Sequence, residues 1–299
     1  MRNAFAKYLC EICLEDKELM LLVGDIGFRI FDEFRDKYKN HFLNCGIAEQ
    51  NMISVAAGMA SQGKHPIVYT IIPFLVMRAY EQIRVDLGIN NVGVMLVGVG
   101  GGLAYDKLGS THHAYEDICL MRSIPRMHVY TPFDPLSTID CTKHGYENMK
   151  NKESSYIRLS KGGEPVLEIK ERINSFIFIL FGNLDSLNII ITHGAITKNV
   201  KDIISKLGKD VCLLTITCFD KKVINELLSI IKTRRNEVNL VVIEENFQIG
   251  GLFEYLTVEM MKINVFKKIK FQVLPHKYIF EIFDRDNLLD LSGFNKKNI

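Results

Sequence analysis

Phe42-Leu-Asn-Cys-Gly-Ile-Ala-Glu-Gln-Asn-Met52 runs from a short loop into an Ala- and Gly-rich stretch, Ser54-Val-Ala-Ala-Gly-Met-Ala-Ser-Gln-Gly63. The second half reads as a helix over 47–62. Glu49 falls at or just before its first turn, where the helix dipole favours an acid. Taken alone, Glu49 is a capping carboxylate. The helix lies between two β-rich runs, at 19–25 and 67–72, and that placement decides the fold class.

The same alternation continues outward. Further β-rich runs lie at 92–100, 127–131 and 156–159, with helical patterns at 3–16, 74–87, 114–123 and 135–150. Continuous apolar strands separated by helices predict a parallel sheet covered on both faces. Lys161-Gly-Gly-Glu-Pro165 then punctuates the chain as a domain exit. A second alternation follows, with strands at 188–192, 211–217, 239–243 and 269–274 and helices at 198–207, 222–234 and 251–263. The expectation is an α/β protein of two doubly wound domains, 1–170 and a smaller 188–299, joined by a linker at 171–187. Residues 176–181 within that linker read either as an edge strand or as part of a hydrophobic connection.

Composition narrows the function classes. The chain has 299 residues, 47% hydrophobic and 24% charged, enough for two cores. Lys plus Arg is 37 against 35 acids, a net charge of +2, which gives no footing for nucleic acid or an anionic membrane. No apolar run approaches the roughly 18 residues of a membrane span. Seven scattered cysteines do not form a secreted disulfide framework. Cys10 and Cys13 sit in a helical pattern and read as small packed hydrophobes. A reducing cytoplasm fits best.

Two apparent motifs fail. Val97-Gly-Val-Gly-Gly-Gly-Leu103 follows a strand, but Leu103 stands where a dinucleotide loop needs its third glycine. These glycines serve either a tight strand exit or close approach to a ligand. Thr111-His-His113 is adjacent histidines on a loop without a carboxylate pattern, a poor zinc site.

The opening string succeeds where these fail. Gly46-Ile-Ala-Glu-Gln50 resembles the thiamine-diphosphate signature of the transketolase and deoxyxylulose-phosphate synthase superfamily. Val23-Gly-Asp-Ile-Gly27, Ile72-Pro-Phe-Leu-Val-Met-Arg-Ala-Tyr-Glu-Gln82 and Leu108-Gly-Ser-Thr-His-His-Ala114 resemble its cofactor-facing segments, in the same order. Met121-Arg-Ser-Ile-Pro125, Val129-Tyr-Thr-Pro-Phe-Asp-Pro135 and Tyr156-Ile-Arg-Leu-Ser-Lys161 continue the series. Val242-Ile-Glu-Glu-Asn246 and Gly250-Gly-Leu252 extend it into a transketolase C-terminal-like domain.

The resemblance implies roles. Glu49 would hydrogen-bond N1′ of the aminopyrimidine of thiamine diphosphate and promote the tautomer that deprotonates C2, a task that needs a carboxyl group. Phe74 would stack on the pyrimidine, Ile47 would line the cavity, and Asp25 would lie near the cofactor's bridge. His112 would face the reacting carbon, where an imidazole can relay protons near neutral pH. Arg29, Arg78, Arg158 and Lys161 are candidates for a sugar-phosphate tail. Leu108 departs from the pattern: the family usually has an Asp there that recognises a substrate hydroxyl, and here Asp106 lies two residues upstream.

No Gly-Asp-Gly segment for a Mg²⁺–diphosphate domain is present, and no metal ligand is assigned to this chain. The resemblance therefore implies the C-terminal subunit of a split transketolase. A partner subunit would hold Mg²⁺ and the diphosphate in an α₂β₂ heterotetramer acting on sugar phosphates or sugar nucleotides. The alternatives at this point are a 2-oxo acid dehydrogenase β subunit, a deoxyxylulose-phosphate-synthase-like enzyme, and a non-catalytic partner of the same fold.

Overall fold

The computed structural model describes residues 1–207, 210–233, 238–265 and 268–295. The first half runs α1 (Arg2–Glu15), β1 (Leu19–Val23), α2 (Asp32–Lys37), β2 (Phe42–Asn44), α3 (Glu49–Ser61) and β3 (His65–Ile71). A helical stretch follows, π-type over Phe74–Arg78 and Ile83–Ile89, with a single α turn, α4 (Tyr80–Gln82), between. It continues with β4 (Met95–Val99), α5 (Asp117–Arg122), β5 (Met127–Tyr130), α6 (Pro135–Lys150) and β6 (Ser154–Leu159). Every residue of β4 and β6 is buried, as a strand covered on both faces requires. The six strands are parallel in the order β2-β1-β3-β4-β6-β5. The order reverses between β1 and β3, and in open α/β sheets ligands bind beyond the strands' carboxyl ends at such a point.

The second half comprises β7 (Glu171–Arg172), β8 (Ile177–Phe181), β9 (Asn188–His193), α7 (Ile196–Leu207), β10 (Val211–Ile216) and α8 (Lys221–Lys232). It ends with β11 (Asn239–Ile243), α9 (Leu252–Lys262), β12 (Ile269–Gln272) and α10 (Arg285–Leu291). Its sheet has the order β12-β11-β9-β10-β8-β7, with β8 antiparallel to both of its neighbours, β10 and β7. Residues 171–187, read from sequence as a linker, thus supply two strands of this sheet. The cause is burial: Ile177, Phe178, Ile179 and Leu180 are all buried, and that apolar run pairs with β10. Residue 234, the expected end of the helix from 222, lies outside the described residues.

Backbone pairing welds the halves together. Tyr130 and Cys218 form an antiparallel bridge. Thr131 N donates to Thr217 O at 2.9 Å, and Phe219 N donates to Val129 O at 3.0 Å. One apolar cluster runs through both, including Tyr130, Ile177, Leu214 and Cys218. Among the described residues no helix is long and apolar enough to cross a membrane.

Candidate active site

The carboxyl ends of β1, β2, β3 and β4 open onto one edge of the first sheet. Asn44, the last residue of β2, ties two of the exit loops together. Its Oδ1 accepts from the backbone of Asp25 at 3.1 Å and of Gly46 at 3.0 Å, and its Nδ2 donates to Asp25 Oδ1 at 3.0 Å. Asp25 and Arg29 are exposed on the β1 exit loop, both in left-handed backbone (φ 54° and 66°). Ile47 stands on the next loop, 75% exposed.

Glu49 opens α3 but does not cap it; the helix has no side-chain cap. Its carboxylate is instead buried, with 1% of the residue exposed, and Oε2 accepts from Arg78 Nη1 at 2.7 Å. Arg78, expected as a phosphate ligand, lies with its guanidinium carbon 4.6 Å from the centroid of Phe74. The π-type turn that carries Phe74 and Arg78 follows directly on β3. Such turns recur at functional sites.

His112 completes the cluster. Its ring centroid is 5.1 Å from Phe74 and 5.8 Å from Tyr105. Burial, and then the charge of Lys161, hold its pKa below the ordinary 6.5, so it is neutral at pH 7. Lys161 Nζ lies 4.6 Å from the Tyr105 ring centroid. His113 is buried, with Nδ1 against the Tyr115 hydroxyl.

Arg158 is a different case from the other basic candidates. Its side chain is 5% exposed; Nε donates to Asp117 Oδ2 at 2.9 Å, and Nη2 donates to the carbonyls of Ala114 and Glu245, each at 3.0 Å. These bonds turn it inward between the two halves. The glycine run is explained in the same way. A Cβ on Gly100 (φ 98°) would lie 2.2 Å from the Tyr105 ring, and one on Gly102 (φ 61°) 2.5 Å from the Glu245 side chain. The glycines admit neighbours from this chain.

Sequence reasoning did not find Asn44, Tyr105, Asp117 or Glu245. Asn44 and Glu245 stood inside the quoted motifs, and Tyr105 follows the glycine run that accommodates its ring. Among the described residues no three His, Cys, Asp or Glu side chains converge as metal ligands.

Residues 1–164 match the family described as transketolase, pyrimidine-binding domain. The chain is 33% identical over 165 residues to one of the subunits of the apulose-4-phosphate transketolase of Phocaeicola vulgatus, covering 55% of this chain and 52% of that protein. It is 28% identical over 312 residues to the 1-deoxy-D-xylulose-5-phosphate synthase of Aliivibrio salmonicida, covering 99% of this chain and 48% of that protein. The chain thus spans about half the length of these relatives. Its fold superposes on a solved structure titled as a split gene transketolase, inactive β4 tetramer, with TM-score 0.80 and 25% identity, covering 99% of this chain and 94% of that one.

Proposed function

Because the chain belongs to the transketolase family through its pyrimidine-binding domain, we propose that it is the C-terminal subunit of a split, thiamine-diphosphate-dependent transketolase. It would transfer a two-carbon ketol unit between phosphorylated or nucleotide-linked sugars. A separate subunit would hold the diphosphate through Mg²⁺, in an α₂β₂ assembly in the cytoplasm. The observation that carries this reading is Glu49: a carboxylate 1% exposed beside the sheet's carboxyl edge, with Arg78 donating to Oε2 and Oε1 as its other oxygen. An aminopyrimidine nitrogen is a partner that fits that oxygen.

When bound, thiamine diphosphate supplies a carbon nucleophile at C2 of its thiazolium ring. Glu49 would hold the proton shared with N1′, and Phe74 would offer its ring to the pyrimidine. Ile47 and Asp25 would line the approach. Arg78 donates to the buried Glu49 carboxylate and lies over the Phe74 ring, so it orients both groups. His112, neutral at pH 7, can accept or donate a proton at a substrate oxygen. Lys161 and Arg29 remain the candidates for a phosphate tail.

Glu49→Gln in the complex with its partner subunit tests this. Turnover should fall on the order of 10²- to 10⁴-fold, while the variant still folds. Wild-type turnover would refute it. The alignment with a deoxyxylulose-phosphate synthase over 99% of this chain supports a second reading. In that case the chain would take part in making 1-deoxy-D-xylulose 5-phosphate instead of moving a ketol unit between sugars.

A further inference from the structure

His112 rides on a loop that the second half of the chain grips. The loop is closed at its base by a reciprocal pair: Gly102 N donates to Ala114 O and Ala114 N to Gly102 O, each at 3.0 Å. Both strands of that base are fastened to one residue, Glu245, two positions beyond β11. Its Oε1 accepts from Leu103 N at 2.9 Å. Its carbonyl accepts from Arg158 Nη2, which also holds Ala114 O.

Two further ties lie nearer the tip. Arg285, the first residue of α10, donates its backbone N–H to Asp106 Oδ2 at 3.1 Å. Its Nη2 pairs with Glu245 Oε2, and its Nη1 donates to Asn199 Oδ1 at 3.1 Å. Ser110, two residues before His112, donates its hydroxyl to the carbonyl of Ile279. Glu245 is only 2% exposed, so its charge depends on Arg285 and the Leu103 amide for compensation. Gly102, where any side chain would collide with Glu245, makes the close approach possible. The halves are also joined away from this loop. The backbone pairing around Tyr130 and the contact of His128 with Asp220 lie at β5, the far edge of the first sheet.

We infer that Glu245 and Arg285 are positioning residues that set the height of His112 against Phe74, giving the second domain a direct part in the active site. This rests on the reading of His112 as a site residue. The clamp also accounts for Asp106: one carboxylate oxygen receives Arg285 N and the other Lys107 N, so it is engaged in holding the loop.

The test follows the His112 ring by NMR in the full chain, assigned with His112→Gln, through a pH titration of Arg285→Ala and Glu245→Gln. Release of the loop hydrates the imidazole, so its midpoint should rise toward the ordinary 6.5. Arg285→Lys, which keeps the charge, should restore part of the difference. If Arg285→Ala fails to fold, Glu245→Gln, which keeps the size of the side chain and removes its charge, carries the reading. In the complex with the partner subunit, kcat should fall on the order of 10- to 100-fold with thiamine diphosphate affinity retained. His128→Gln, which weakens the other contact between the halves, should leave the His112 titration unchanged. The inference is overturned if Arg285→Ala and Glu245→Gln titrate as wild type, or if His128→Gln moves His112 equally far. Full turnover in His112→Ala would instead refute the functional reading, while the titration still decides the clamp.

Discussion

At the scale of single residues, the pairing of Glu49 with Arg78 has an asymmetry that can be measured. Glu49's side chain is 2% exposed and Arg78's is 43% exposed. Removing the arginine leaves a buried carboxylate without its donor, whereas removing the carboxylate leaves a guanidinium that water can reach. Arg78→Ala should therefore destabilise the chain by about 1–3 kcal/mol in urea unfolding. Glu49→Gln added to Arg78→Ala should recover most of the loss, because the coupling lies in the stranded charge. Equal additive losses in the double variant would refute this account. The grouping of Glu49, Phe74 and His112 could be expected from the sequence because each sits in a short local string that resembles a family motif. The place of Arg158 could not. A basic residue in a strand shows its spacing, but whether the guanidinium faces a cleft or a neighbouring domain depends on residues far along the chain. Glu245, 142 positions from the amide it holds, was hidden for the same reason.

At the scale of elements, α6 shows how much one end contributes. Asp134 caps it: its side chain accepts from Ser137 N at 2.7 Å, Ser137 Oγ answers to Asp134 N at 3.0 Å, and Pro135 takes the first helical position. The second carboxylate oxygen accepts from Leu167 N at 3.0 Å, pinning the start of the connection to the second domain. Asp134→Ala should lose about 2 kcal/mol of stability by denaturant unfolding, at the upper end for a cap because the site is buried. Ser137→Ala, which keeps the carboxylate, should lose less, and the reverse ranking would sink this explanation. The boundaries of α6 were readable from this local chemistry. The strands β2 and β7 were not: at three and two residues, they are too short to carry an alternating pattern. The β8 run was visible as apolar, but only its partner β10 distinguishes an antiparallel strand from a connecting segment.

At the scale of the whole molecule, His128 links the domains through charge. Its Nδ1 is 2.6 Å from Asp220 Oδ2, at the start of α8, and its Nε2 is 3.0 Å from Glu153 Oε2 in the first domain. Both acceptors are carboxylates, so only the doubly protonated imidazolium donates to both. The hydrogen bond that it donates to Asp220 raises its pKa above the ordinary 6.5, with burial opposing and Glu153 adding to the rise. A raised folded-state pKa contributes stability that is complete below the unfolded value near 6.5 and is lost as pH climbs through the folded value. His113 and His144 act in the opposite sense. Burial lowers both, so their contribution is present above about 6.5 and fades as pH falls through the lowered values. The contact between domains should therefore weaken on the alkaline side. Unfolding free energies of the wild type and of His128→Gln, taken from about pH 6 to about pH 9 around the ordinary histidine range, separate these contributions. The advantage of the wild type should be greatest at the acid end and shrink as pH rises, since His113 and His144 are common to both chains and cancel in the difference. A difference that stays flat, or grows with pH, would show that His128 holds the domains as a neutral ring and that the two carboxylates do not act through its charge.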